Sequence, residues 1–82
     1  MNKELEKKLL NAKKGELEYK DYLQAFREEL QESGFDEKVI QEIIDENEKD
    51  IRGCFEHTDI DEKTHSTYYS SVLDIAGWMP QL

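Results

Sequence analysis

The sequence predicts an all-α protein, a small antiparallel bundle of three to four helices. Three observations lead there. Apolar residues recur at helical spacing along most of the chain. No six-residue run alternates apolar and polar residues cleanly, and no Asn-Gly or Asp-Gly pair marks a hairpin. Charged residues make up 38% of the chain, but one Trp, four Tyr and three Phe accompany them, which favours a folded domain over a disordered one. With 82 residues there is room for one core only. Such a chain buries about 60–65% of its unfolded surface, so its stability is expected to be modest.

The first helix is expected over residues 2–14. Leu5, Leu9 and Leu10 form a short stripe. Asn2 is placed to cap it, and Glu4 and Glu6 suit the positive end of the helix dipole. Lys13 and Lys14 suit the other end, and Gly15 is placed as the stop.

The second helix is expected over 18–33. Tyr19, Tyr22, Leu23, Phe26 and Leu30 fall on one side at helical spacing. Gly34 supplies the C-terminal stop, and Phe35 stands where an apolar contact often accompanies it. Asp36 then caps a third helix over 37–55, whose stripe is Val39, Ile40, Ile43, Ile44, Ile51 and Cys54 or Phe55. This is the strongest periodic signal in the chain. The short link makes the second and third helices neighbours. Leu23, Phe26 and Leu30 should face Ile40, Ile43 and Ile44, with the first and fourth helices covering the remainder.

Residues 57–66, HTDIDEKTHS, read as a polar loop, although Thr58 to Asp61 could open a helix early through a capping box. The fourth helix is expected over 67–76, with Tyr69, Val72, Leu73 and Ala76 on its stripe. Gly77 is the expected stop, Pro80 forbids continuation, and Trp78 and Met79 are expected to fold back onto the bundle.

Charge is distributed unevenly. The chain carries 20 acidic and 11 basic side chains, a net charge of -9. Lysine prevails in the first helix, so the rest of the chain is still more acidic. The third helix is the densest part. Glu42, Asp45, Glu46, Glu48 and Asp50 lie outside its apolar stripe and should face water. Like charges one turn apart, such as Glu42 with Glu46, repel by a few tenths of a kcal/mol. Asp59, Asp61 and Glu62 add a second acidic group in the loop.

These numbers exclude several functions. Direct binding to DNA, RNA or an anionic membrane needs Lys and Arg against phosphate, and this balance is the reverse. A helix-turn-helix reader around Gly34 would present Glu42, Asp45 and Glu46 to the phosphates. No apolar run reaches the roughly 18–20 residues of a membrane span. The N-terminal residues lack the apolar stretch of a signal peptide, and the single Cys54 allows no intrachain disulfide, so a cytoplasmic location is expected.

The candidate chemical sites fail on spacing. Asp45, Asn47 and Glu56 match positions 1, 3 and 12 of a calcium loop, but Lys49 takes a ligand position and Asp50 stands where glycine is required. Cys54, His57 and His65 offer three soft ligands where structural zinc takes four. Cys54 with His57 is the only nucleophile and base pair, and no glycine-rich turn supplies an oxyanion hole beside it. No cofactor, metal or enzymatic activity is therefore expected.

Among the aromatics, Tyr68 and Trp78 lie off the fourth stripe or beyond its end and are the expected exposed contacts. The resulting expectation is an acidic inhibitor or antidote. It would occupy a basic, nucleic-acid-binding surface of another protein, such as a nuclease, by charge mimicry. The contact set would be Glu42, Asp45, Glu46, Glu48, Asp50, Asp59, Asp61, Glu62, Tyr68 and Trp78. The alternative is a small adaptor subunit that associates through apolar helix faces, its acidity serving solubility alone. The lysine-rich first helix leaves homo-oligomerisation open.

Overall fold

The computed structural model describes residues 1–81, Gln81 by its backbone alone. Four helices follow one another: α1 Lys3–Asn11, α2 Tyr19–Glu32, α3 Glu37–Glu56 and α4 Tyr68–Trp78, with a 3-10 turn at Met79–Gln81. There is no strand among the described residues. The radius of gyration is 12.0 Å, close to the roughly 12 Å of a compact domain of this length.

Local chemistry sets the boundaries. Asn2 accepts hydrogen bonds from the N–H groups of Glu4 and Leu5 and so starts α1. The helix stops at Asn11, earlier than its sequence suggests, because Lys13, Lys14 and Gly15 are needed for the turn that returns Leu17 to the core. Gly15 takes φ +85° there. Lys14 Nζ donates to the carbonyls of Glu56 (2.6 Å) and Thr58 (2.7 Å), satisfying the carboxyl end of α3.

The α2–α3 corner follows the expected chemistry closely. The Gly34 N–H donates to the Gln31 carbonyl and the Phe35 N–H to the Leu30 carbonyl. Gly34 holds φ +98°, so this is the two-bond glycine stop of a helix. The Phe35 ring nevertheless stays 36% exposed, so the apolar contact expected of it is incomplete. Asp36 Oδ1 accepts from the Val39 N–H and opens α3. Asn47 interrupts that helix with φ -117° and ψ 17°, and its Nδ2 donates to the Ile43 carbonyl. A side chain has taken an acceptor of the helical ladder, and the axis bends at that point.

α2 and α4 each pack against the other three helices. Leu5, Leu9, Leu17, Tyr22, Ala25, Phe26, Leu30, Ile40, Ile44 and Ile51 are buried. Leu23 and Ile43 pack at the margin of this core rather than within it.

The fourth helix differs most from expectation. Thr67 caps it through a reciprocal box with Ser70. The buried stripe is Tyr68, Val72, Ile75 and Met79, one residue out of step with the expected set, and Leu73 is exposed. The two stripes fit the helical period equally well. The choice falls to Tyr68, whose ring stacks on Phe55 at 5.7 Å and meets Tyr22 edge-on at 6.3 Å. Tyr68 is 1% exposed and its hydroxyl accepts from the Gly15 N–H, so it is a core residue and not an outward contact. Gly77 does not stop the helix, because another turn is required to bury Met79. Trp78 remains 44% exposed instead of folding back.

Residues 57–66 are not helical. Asp61 and Ser66 exchange a pair of backbone hydrogen bonds, and Asp61 Oδ1 accepts from the Lys63 N–H. The loop is a closed turn with His65 at φ +58°.

Candidate functional site

The outward side of α3 is built by its own periodicity. Ile40, Ile44 and Ile51 hold one side in the core, which leaves Glu42, Asp45 and Glu46 in water on the other. None of these three meets a cation within 4.0 Å among the described residues. Lys38 and Lys49 lie on the same helix, and neither closes an ion pair among the described residues. Elsewhere cations are engaged: Lys8 with Asp21, Arg27 with Glu37, Arg52 with Glu48.

The five acidic residues expected to act together on α3 are therefore divided. Glu48 is held by Arg52 at 3.2 Å, and the Arg52 guanidinium lies 4.3 Å from the centre of the Tyr19 ring. Asp50 turns toward α4. Asp59, Asp61 and Glu62 are exposed as expected, but they too part company. Asp59 joins Asp50 at a groove between α3 and α4, whereas Asp61 and Glu62 border an adjoining cleft against the end of α1, with Ser66, Thr67 and Ser70 common to both.

The α3–α4 groove is an open depression of about 650 Å³. Cys54 and Ile75 contribute apolar lining, Asp50, Asp59 and Asp74 are its carboxylates, and Trp78 belongs to the same wall. Lys49 is the lone ammonium among the lining residues. Asp50, Asp59 and Asp74 are exposed and have no ion-pair partner among the described residues.

Behind the groove runs a chain of hydroxyls. Tyr22 and Ser71 are 2.7 Å apart, Ser71 and Thr58 3.0 Å, and the Thr58 hydroxyl donates to the Cys54 carbonyl. A carbonyl can only accept, so the direction of the chain is set: Tyr22 donates to Ser71, and Ser71 to Thr58. Burial pushes the Tyr22 phenol up to about 12. Burial, reinforced by Asp50, also raises the Cys54 thiol, which is the opposite of what a thiolate nucleophile requires.

Cys54 and His57 line this groove, while His65 lies at the other cleft beside Leu10 and Ile60. The three soft ligands do not converge, and no group of three His, Cys, Asp or Glu among the described residues is arranged to hold a metal ion. No helix of the described residues is long and apolar enough to cross a membrane.

Sequence reasoning missed Asp74 and the hydroxyl wall of the groove. Asp74 and Trp78 are spaced i, i+4 and so share a helix face, a signal present in the sequence. The pairing of that face with the second half of α3 is a tertiary fact. Comparison of the chain with protein-family models, with curated proteins and with solved structures returns no match.

Proposed function

We propose that this protein is an acidic binding protein that occupies a basic surface of a partner protein, one whose basic surface serves to hold nucleic acid. The observation that carries this reading is that Glu42, Asp45 and Glu46 are exposed and have no ion-pair partner among the described residues, Asp45 being met only by the Gln41 amide. Lys38 and Lys49 share this helix, yet the row of carboxylates stays in water without an ion-pair partner among the described residues, at a cost in like-charge repulsion. Such a row raises the rate of encounter with a positive surface and repels nucleic acid itself. Glu48 contributes less, since Arg52 already neutralises it.

The test is affinity capture from a nuclease-treated lysate of the native host, with elution by salt and by added DNA duplex. A nuclease, polymerase or other nucleic-acid-binding protein released at moderate salt, and displaced by the duplex, supports the reading. Charge reversal of Asp45 and Glu46 to Lys should then weaken that complex by about tenfold at low ionic strength, chiefly through the association rate. Unchanged affinity removes this face from the contact. The adaptor reading predicts instead a partner retained through high salt, because apolar contacts are not screened. The exposed apolar residues, Leu10, Phe35, Val39, Leu73 and Trp78, are spread over α1, the α2–α3 corner and α4.

A further inference from the structure

We infer that the groove between the second half of α3 and α4 receives an arginine side chain of the basic partner, an assignment that rests on the binding reading above. Asp50, Asp59 and Asp74 come from three separate stretches of the chain and reach one groove only because α3 packs on α4. Lys49 is the single lining ammonium against these three carboxylates, and none of the three is engaged in an ion pair among the described residues. The lining also includes apolar Cys54 and Ile75, and Trp78, 44% exposed, belongs to the same wall.

A cation suits the carboxylates, and the apolar elements decide which cation. A lysine ammonium is a compact, strongly hydrated charge that gains little from an apolar wall. A guanidinium is planar and weakly hydrated. It stacks on an indole face while its edge forks onto a carboxylate. The groove is open to solvent, so a long side chain can lie along its walls. The groove thus complements arginine in charge and in the character of its walls.

Trp78 is the only tryptophan, so its emission and its indole N–H resonance report on this groove alone. The experiment titrates the ¹⁵N-labelled full chain with hexa-arginine and with hexa-lysine at equal low ionic strength. Expected are a shift of the single indole cross-peak, shifts of the Asp50, Asp59 and Asp74 amides, and binding of hexa-arginine about fivefold tighter than hexa-lysine. Trp78→Ala and Asp74→Asn should each weaken hexa-arginine binding about threefold or more, with thermal midpoints and helical circular dichroism confirming that both variants fold. Glu42→Gln should leave the indole shift intact.

Binding with shifts confined to Glu42, Asp45 and Glu46 overturns the groove assignment and leaves the basic-partner reading standing. Equal affinity for the two peptides overturns the choice of arginine. No binding to either peptide overturns the groove assignment, while the basic-partner reading is decided separately by the salt- and duplex-sensitive capture. Concentration-dependent indole shifts without peptide would show a second copy in the groove and overturn the inference as well.

Discussion

Two tyrosines three positions apart have opposite roles. Tyr22 is fully buried and its hydroxyl heads the chain through Ser71 and Thr58 to the Cys54 carbonyl. The Tyr19 hydroxyl is buried and has no hydrogen-bond partner among the described residues. Removing a paired hydroxyl costs about 1 kcal/mol, whereas removing an unpaired one costs nothing or stabilises. Tyr22→Phe should lower the urea-unfolding free energy by about 1 kcal/mol, and Tyr19→Phe should leave it unchanged or raise it. The Tyr22 phenol titrates near 12 when folded and near 10 when unfolded, so the unfolded chain releases this proton first. Its contribution is complete below pH 10 and is lost between pH 10 and 12. Unfolding free energy measured against pH should therefore fall less steeply in that window for Tyr22→Phe than for the wild type, by roughly 3 kcal/mol in all.

At the scale of the helices, the two glycines beside α2 and within α4 separate position from composition. Gly34 sits at φ +98° in the turn after α2, while Gly77 lies inside α4, and a Cβ at either would meet nothing within 4 Å. Strain alone therefore opposes Gly34→Ala, and helix propensity alone favours Gly77→Ala. The first should lower the thermal midpoint by an amount equivalent to about 1 kcal/mol, and the second should raise it by about 0.5–1 kcal/mol. The same contrast shows what was legible in the sequence. The stop at Gly34 was, because Gly, an apolar residue and an Asp cap follow one another locally. The end of α4 was not, because burying Met79 across the bundle outweighs a local glycine. The phase of α4 was also hidden. Tyr68 and Tyr69 are adjacent, and only the Phe55 and Tyr22 rings on other helices decide which one turns inward. The break at Asn47 likewise depends on a side chain choosing a backbone carbonyl, which periodicity does not reveal.

For the whole molecule, the net charge of -9 opposes compaction and is screened by salt. Raising ionic strength from low to moderate should raise the thermal midpoint of the free protein while weakening its complex with a basic partner. A protein acidic for solubility alone would show the first effect without the second. The acidity of the surface was legible from composition, but its partition was not. Glu48 is engaged by Arg52, Asp50 and Asp59 join Asp74 at the groove, and Asp61 and Glu62 stand at a neighbouring cleft that shares Ser66, Thr67 and Ser70 with it. Only the groove set depends on the packing of α3 against α4; the Glu48–Arg52 pair lies within α3, and Asp61 and Glu62 lie against the end of α1. The Lys14 ammonium, meanwhile, is committed to two carbonyls at the far end of α3. Trypsin cleaves after a lysine only when that side chain is free to enter its specificity pocket, so the Lys14–Gly15 bond is shielded by the tertiary structure although it lies in a surface turn. Brief digestion of the native protein should therefore cut after Lys13 in preference to Lys14. Cleavage after Lys14 then becomes a clock for the opening of the C-terminal half, read from the opposite end of the chain.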